Sequence, residues 1–122
     1  MSALRSLLVV DDDRGIRESL ADVLGDEGFT VHTSADGHEA LRFLRTHPPP
    51  RLILLDWMMP GCNGAQFRSE QLADPQLAQI PVVLLTADAR TEDKQRLLGG
   101  VDFVSKPVRL EQLLAVIERY FG

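Results

Sequence analysis

The sequence predicts an α/β domain in which five strands alternate with five helices, (βα)5, to give one doubly wound parallel sheet. Three observations predict it. Four short apolar runs each end on a polar residue: Leu7-Leu8-Val9-Val10 before Asp11-Asp12-Asp13, Leu52-Ile53-Leu54-Leu55 before Asp56, Val82-Val83-Leu84-Leu85 before Thr86, and Phe103-Val104-Ser105 before Lys106. The segments between the runs place apolar residues at helical spacing. The connections are short, with no internal repeat, low-complexity tract or domain linker.

Leu7 to Val10 is a continuous apolar run with β-branched residues at its end, as in a strand covered on both faces. Asp13 starts a helix whose apolar face is Ile16, Leu20, Val23 and Leu24, and an aspartate there accepts the orphan amide hydrogens. Gly25 and Gly28 end it. Phe29 to His32 is a second strand, polar enough for a sheet edge. Glu39 to Arg45 is the second helix, with Ala40, Leu41 and Leu44 apolar, and Pro48-Pro49-Pro50 bars its continuation. Leu52 to Leu55 is the third strand, and Pro60, Gly61, Asn63 and Gly64 make the loop after it. A helix runs from about Ala65 to Leu72 before Pro75. Ile80 to Leu85 is the fourth strand, Thr91 to Leu98 a helix closed by Gly99-Gly100, and Val101 to Ser105 the fifth strand. Leu110 to Phe121 is an amphipathic helix, with Leu110, Leu113, Leu114, Ile117 and Phe121 on one face. This alternation implies right-handed crossovers and helices on both faces of the sheet.

A chain of 122 residues suits one domain with one core. The net charge of −5 argues against nucleic acid as a direct partner. The single cysteine, Cys62, cannot form an internal disulfide, and no Cys/His cluster has zinc spacing, so a reducing compartment fits. The first five residues are too short and polar for a signal peptide, and no apolar run approaches membrane-spanning length. The expected location is the cytoplasm, without membrane contact.

In an open parallel sheet the ligand site lies beyond the carboxyl ends of the strands. Asp11, Asp12, Asp56, Thr86 and Lys106 all emerge there. Close carboxylates raise one another's pKa unless a cation is present. Ligation by oxygen alone suits Mg²⁺. A carboxylate is also a nucleophile that can form an aspartyl phosphate, whose developing charge needs cations and donors placed where it forms. Mg²⁺, Lys106 and the Thr86 hydroxyl would supply them. Singly, each residue has an ordinary explanation: an aspartate cap, a turn residue, a strand end, a solvated lysine. For Asp13 the helix cap is the preferred reading.

Four stretches resemble the receiver domain of bacterial two-component response regulators: Leu8-Val9-Val10-Asp11-Asp12-Asp13, Leu54 to Gly61, Leu84-Leu85-Thr86-Ala87 and Val104-Ser105-Lys106-Pro107. They occur in the family's order and the resemblance covers nearly the whole chain, so that residues 1–122 read as a single receiver domain. It implies a flavodoxin-like sheet of order 2-1-3-4-5. It implies that Asp56 accepts a phosphoryl group from a phosphohistidine on a sensor histidine kinase or histidine phosphotransfer protein. Asp12, Asp56 and the backbone carbonyl of Met58 would bind Mg²⁺ (or Mn²⁺), and Asp11 would act through a bound water. Lys106, held by a cis Lys106-Pro107 bond of the kind proline permits at low cost, would neutralise the phosphoryl group. Thr86 and the Ala87 amide would hydrogen-bond its oxygens. Phe103 occupies the switch-aromatic position and would fill space that Thr86 vacates. A homodimer formed on phosphorylation is compatible with the family.

The chain departs from the family between Thr86 and Lys106, which is about two residues short. That trims the fourth helix or its exit loop and puts the usual dimerisation and output contacts in doubt. Met58 and Asp88 lie where the family tunes hydrolysis of the acyl phosphate; Met58 cannot orient a water, whereas Asp88 can. Trp57 would report metal binding or simply pack at the surface. His32, His38 and His47 read as surface or edge residues, Cys62 as a plain loop thiol, and Arg90, Glu92, Asp93, Lys94 and Arg96 as a solvated helix face. The same residues admit two other functions. A Mg²⁺-dependent aspartyl-phosphate phosphotransferase would ordinarily carry a second acid at position 58. A receiver-like module that binds partners without phosphorylation would ordinarily have lost an acidic, threonine or lysine position. The leading expectation is a phosphorylation switch, not a turnover enzyme on an external substrate. Whether it acts alone by docking or within a longer regulator, and through which output, is not written in these residues.

Overall fold

The computed structural model describes residues 5–57, 59, 61, 63–87 and 102–121. Its strands are β1 (Ser6–Val10), β2 (Thr30–Ser34), β3 (Leu52–Asp56), β4 (Val82–Thr86) and β5 (Asp102–Ser105). All pair in parallel in the order β2-β1-β3-β4-β5. Four helices lie among the described residues: α1 (Arg14–Asp26), α2 (Gly37–Thr46), α3 (Gly64–Ala73) and α4 (Leu110–Glu118). The expected helix over Thr91 to Leu98, the shortened segment around it, Met58, Cys62 and Asp88 fall outside the described residues.

The three central strands are buried at every position, which explains the run of four apolar residues in each. Alternate side chains build two cores. Leu8, Val10, Ile53, Leu55, Val82 and Leu84 pack with α2 and α3 through Leu41, Leu44 and Phe67. Leu7, Val9, Leu54, Leu85 and Val104 pack with α1 and α4 through Leu24, Leu113 and Ile117. Among the described residues two helices cover each face, as the doubly wound reading requires.

Several boundaries differ from expectation, β4 for instance running over Val82–Thr86 and not from Ile80, and three of the differences have a clear physical reason. Helix α1 passes through Gly25 and ends at Asp26; Gly28, at φ 96°, makes the turn. Phe29 is buried just before β2 begins, so its apolar character reflects core packing and not ladder pairing. Helix α4 ends at Glu118, and Phe121 sits beyond it edge-on to Phe29, with ring centroids 5.2 Å apart. The Arg5 guanidinium lies 4.4 Å from the Phe29 ring and Arg51 lies 5.5 Å from that of Phe121.

Candidate acidic phosphoacceptor site

All five strands point their carboxyl ends at one edge, and three tight connections set the site there. The Asp11 amide donates to the Ser34 carbonyl, the Trp57 amide to that of Leu85 and the Lys106 amide to that of Thr86. Each bond carries the sheet one residue further and fixes where its side chain emerges. Asp13 caps α1 by accepting from the Ile16 amide at 3.1 Å, as expected. Asn63 and Gln66 form a reciprocal capping box at the start of α3. The next residue, Gly64, lies so close to Trp57 that a Cβ would come within 3.2 Å of the Trp57 Cα. This contact seats α3 against the chain leaving Asp56.

Asp11, Asp12 and Asp56 each offer a carboxylate oxygen within 4.8 Å of the others. Asp11 and Asp56 are buried and Asp12 is exposed. Lys106 joins the buried pair, its Nζ donating to Asp11 Oδ2 at 3.1 Å and to Asp56 Oδ1 at 3.0 Å. The other Asp11 carboxylate oxygen accepts from the Asp13 amide at 2.9 Å. The Lys106–Pro107 bond is cis. Thr86, Ala87, Trp57 and Ile16 join the acidic residues and Lys106 around a cavity of about 430 Å³. Of the site residues expected from the sequence, Asp11, Asp12, Asp56, Thr86, Ala87 and Lys106 therefore lie at this edge. Phe103 lies beside it on β5, 37 % exposed and level with Leu84 of β4, while Ser105 is level with Thr86. Phe103 and Thr86 thus share a face, with Cα atoms roughly 8 Å apart on ordinary strand spacing. Trp57 is half-buried and packs against the core. His47 stacks on Phe43 of α2 and the His32 ring packs tilted against it.

Burial pushes the Asp56 carboxyl up to about 6; Lys106 opposes the rise, and Asp11 and Asp12 reinforce it. Burial alone would lower the Lys106 ammonium, but its contacts with Asp56 and Asp11 outweigh that and raise it. The Asp56 shift has a consequence for stability. Its carboxyl binds a proton more tightly folded than unfolded, where the ordinary value is 3.8. That contribution is complete below pH 4 and is lost as pH rises through about 6, at a cost of about 3 kcal/mol in metal-free protein. Urea unfolding with chelator should show this fall between pH 4 and 7. An Asp56 carboxyl titrating near 4 by NMR would overturn the expectation.

Three carboxylates at the ends of adjacent strands, oxygen donors alone, suit a hard cation such as Mg²⁺. Receiver domains bind Mg²⁺ at an acidic pocket of this kind. The comparisons with known proteins agree with the geometry. The chain matches the family model for the response regulator receiver domain over residues 7–118, and it belongs to that family of two-component signalling proteins. It is 40 % identical over 116 residues to the phosphate regulon transcriptional regulatory protein PhoB of Escherichia coli, covering 93 % of this chain and 50 % of PhoB. It is 40 % identical over 111 residues to the DNA-binding response regulator MtrA of Mycolicibacterium smegmatis, covering 89 % of this chain and 47 % of MtrA. The chain spans about half the length of these curated relatives. The chemotaxis protein CheY4 of Vibrio cholerae superposes with a TM-score of 0.86 at 31 % identity, covering 94 % of this chain and 97 % of CheY4.

Two residues that escaped the sequence reading hold main-chain carbonyls, Arg17 at the site and Gln71 at the opposite end of the sheet. Arg17 donates from Nη1 to the main-chain carbonyl of Asp11 at 2.8 Å. A cation near the N-terminal end of a helix opposes the helix dipole, and that was the available signal. Gln71, fully buried, donates to the carbonyls of Leu77 and Ile80, both at 2.9 Å, and so ties down the approach to β4. No local signal marks it.

Proposed function

We propose that this receiver domain is a phosphorylation-controlled switch in which Asp56 accepts a phosphoryl group from a phosphohistidine of a sensor histidine kinase or histidine phosphotransfer protein. The observation that carries the reading is Lys106 bridging two buried carboxylates on adjacent strands, beside Thr86 and an open cavity. An Asp56 carboxylate oxygen attacks phosphorus, the phosphorus–nitrogen bond breaks, and the histidine nitrogen keeps the electron pair. Lys106 neutralises the phosphoryl oxygens, and the Thr86 hydroxyl and Ala87 amide donate to them. Asp12 and Asp56, with the Met58 carbonyl, would hold Mg²⁺, and Asp11 would hold one of its waters. When bound, the cation supplies charge neutralisation at the transferring group. Asp56 is the protein's own substrate, so the domain is not a turnover enzyme. A reducing compartment, the cytoplasm, suits the lone cysteine and the kinase partner. The DNA binding named for MtrA is not carried over, because the chain spans about half of that relative and bears a net charge of −5.

The shared face of Thr86 and Phe103 supports the switch. As Thr86 turns toward the phosphoryl group it vacates space on that face, and the exposed Phe103 ring moves in. The phosphoryl group shifts the balance between the two packings only by its better contacts in the second. Intact-mass analysis with acetyl phosphate and Mg²⁺ should show one added phosphoryl group, absent with EDTA. Beryllofluoride, a non-hydrolysing mimic, should shift the Phe103 ring resonances, and Thr86→Ala should bind the mimic yet lose most of that shift. If neither acetyl phosphate nor beryllofluoride modifies the protein, it is a phosphorylation-independent binding module instead.

A further inference from the structure

We propose that Arg17 is a positioning residue for the cation site, acting through the Asp11–Asp12 peptide; the inference rests on the phosphorylation-switch reading. From α1 its guanidinium reaches back six residues to the Asp11 carbonyl at 2.8 Å. The other polar groups of Asp11 are already committed: its amide to Ser34, one carboxylate oxygen to the Asp13 amide and the other to Lys106. Arg17 therefore supplies the remaining hold on this residue. The carbonyl it grips belongs to the peptide plane that continues into Asp12, because that plane contains both the Asp11 oxygen and the Asp12 nitrogen. Asp12 is exposed, and its carboxylate lies within 4.8 Å of those of Asp11 and Asp56. Its aim depends on this peptide, which Arg17 holds from the carbonyl side alongside the Ser34 and Asp13 contacts of Asp11.

Two features separate this role from ordinary surface decoration. Among the described residues, Arg17 forms no ion pair with a carboxylate, although neighbouring Arg14 pairs with Glu18 at 2.9 Å. A cation near the start of α1 also opposes the helix dipole, so helix stability alone does not account for it. A planar guanidinium suits the task, since its fork is rigid and holds a carbonyl at lower entropic cost than an ammonium.

The test is a Mg²⁺ titration of the full chain followed by amide NMR, on wild type, Arg17→Met and Arg17→Lys. Removing a partner that orients a metal ligand typically weakens metal binding about tenfold or more. The expected result is a Mg²⁺ Kd raised about tenfold in Arg17→Met and only partly recovered in Arg17→Lys, where it stays severalfold above wild type. Acetyl phosphate labelling should fall at low Mg²⁺ and recover at saturating Mg²⁺. A wild-type Kd in both variants overturns the inference, and so does a loss confined to transfer from a phosphohistidine donor, which would make Arg17 a partner contact. If Arg17→Met fails to fold, Arg17→Lys decides: a Kd raised severalfold in that folded variant supports the role, and an unchanged Kd overturns it. Failure of the wild type itself to bind Mg²⁺ would instead overturn the switch reading.

Discussion

Asp56→Asn should abolish the phosphoryl adduct completely while making the metal-free protein more stable. The two effects share one cause. The Asp56 carboxylate is nearly buried, at 4 % exposure, within 4.8 Å of two others, and its environment favours the neutral form. Asparagine keeps the shape and an oxygen to accept from Lys106, but removes the charge and the nucleophile. The linkage that lifts the Asp56 carboxyl to about 6 sets the ceiling, and a gain of about 2 kcal/mol near pH 7.5 is expected. Urea unfolding with chelator measures it beside the mass analysis. The gain should shrink when Mg²⁺ is added, because a cation at ten times its Kd stabilises the wild type by about 1.4 kcal/mol and the variant by less. A variant that is less stable than wild type at every pH would contradict this account of the cluster.

Lys106→Met should do the opposite to stability and still impair the reaction. Methionine fills a similar volume without an ammonium. It leaves Asp11, fully buried, and Asp56 without the cation that now lies 3.1 and 3.0 Å away. Breaking a buried pair from one side typically costs about 3 kcal/mol or more. The lower figure is expected here, since the Lys106 side chain keeps 20 % of its exposure. Added Mg²⁺ should recover more stability in this variant than in wild type, because no ammonium competes for the carboxylates. Labelling by acetyl phosphate should slow by about a hundredfold, the usual loss for one donor to a developing charge. A stability change under about 0.5 kcal/mol, a value ordinary for a surface substitution, would mean that Lys106 is solvated in solution.

The frame of the fold was legible because burial left a simple mark. β1, β3 and β4 are covered on both faces, and each carries a run of four apolar residues directly before Asp11, Asp56 or Thr86. Asp13 was legible as a cap because its spacing to Ile16 is local. Errors arose where burial and secondary structure part company. Phe29 and Phe121 are core residues outside the ladder and the helix, and apolar pattern alone cannot separate those cases. Gly25 was read as a stop, yet a glycine in a last turn costs only about 1 kcal/mol, which packing through Leu20 and Leu24 readily offsets. The site residues were legible through their places at strand ends. Arg17 and Gln71 were not, because each serves a main-chain carbonyl that only the folded chain brings within reach.

The dual grip of Lys106 has a further consequence for how a donor arrives. With all groups ionised, three carboxylates and one ammonium leave a formal local charge of −2 at the mouth of the cavity. Phosphoryl donors are anions, so the cation-free site repels them, and the apolar walls behind it focus that field outward. A divalent cation would cancel the charge. The rate of encounter would then depend on the cation as well as the chemistry. Raising ionic strength should speed the approach of an anionic donor to the bare site and leave approach to the loaded site almost unchanged.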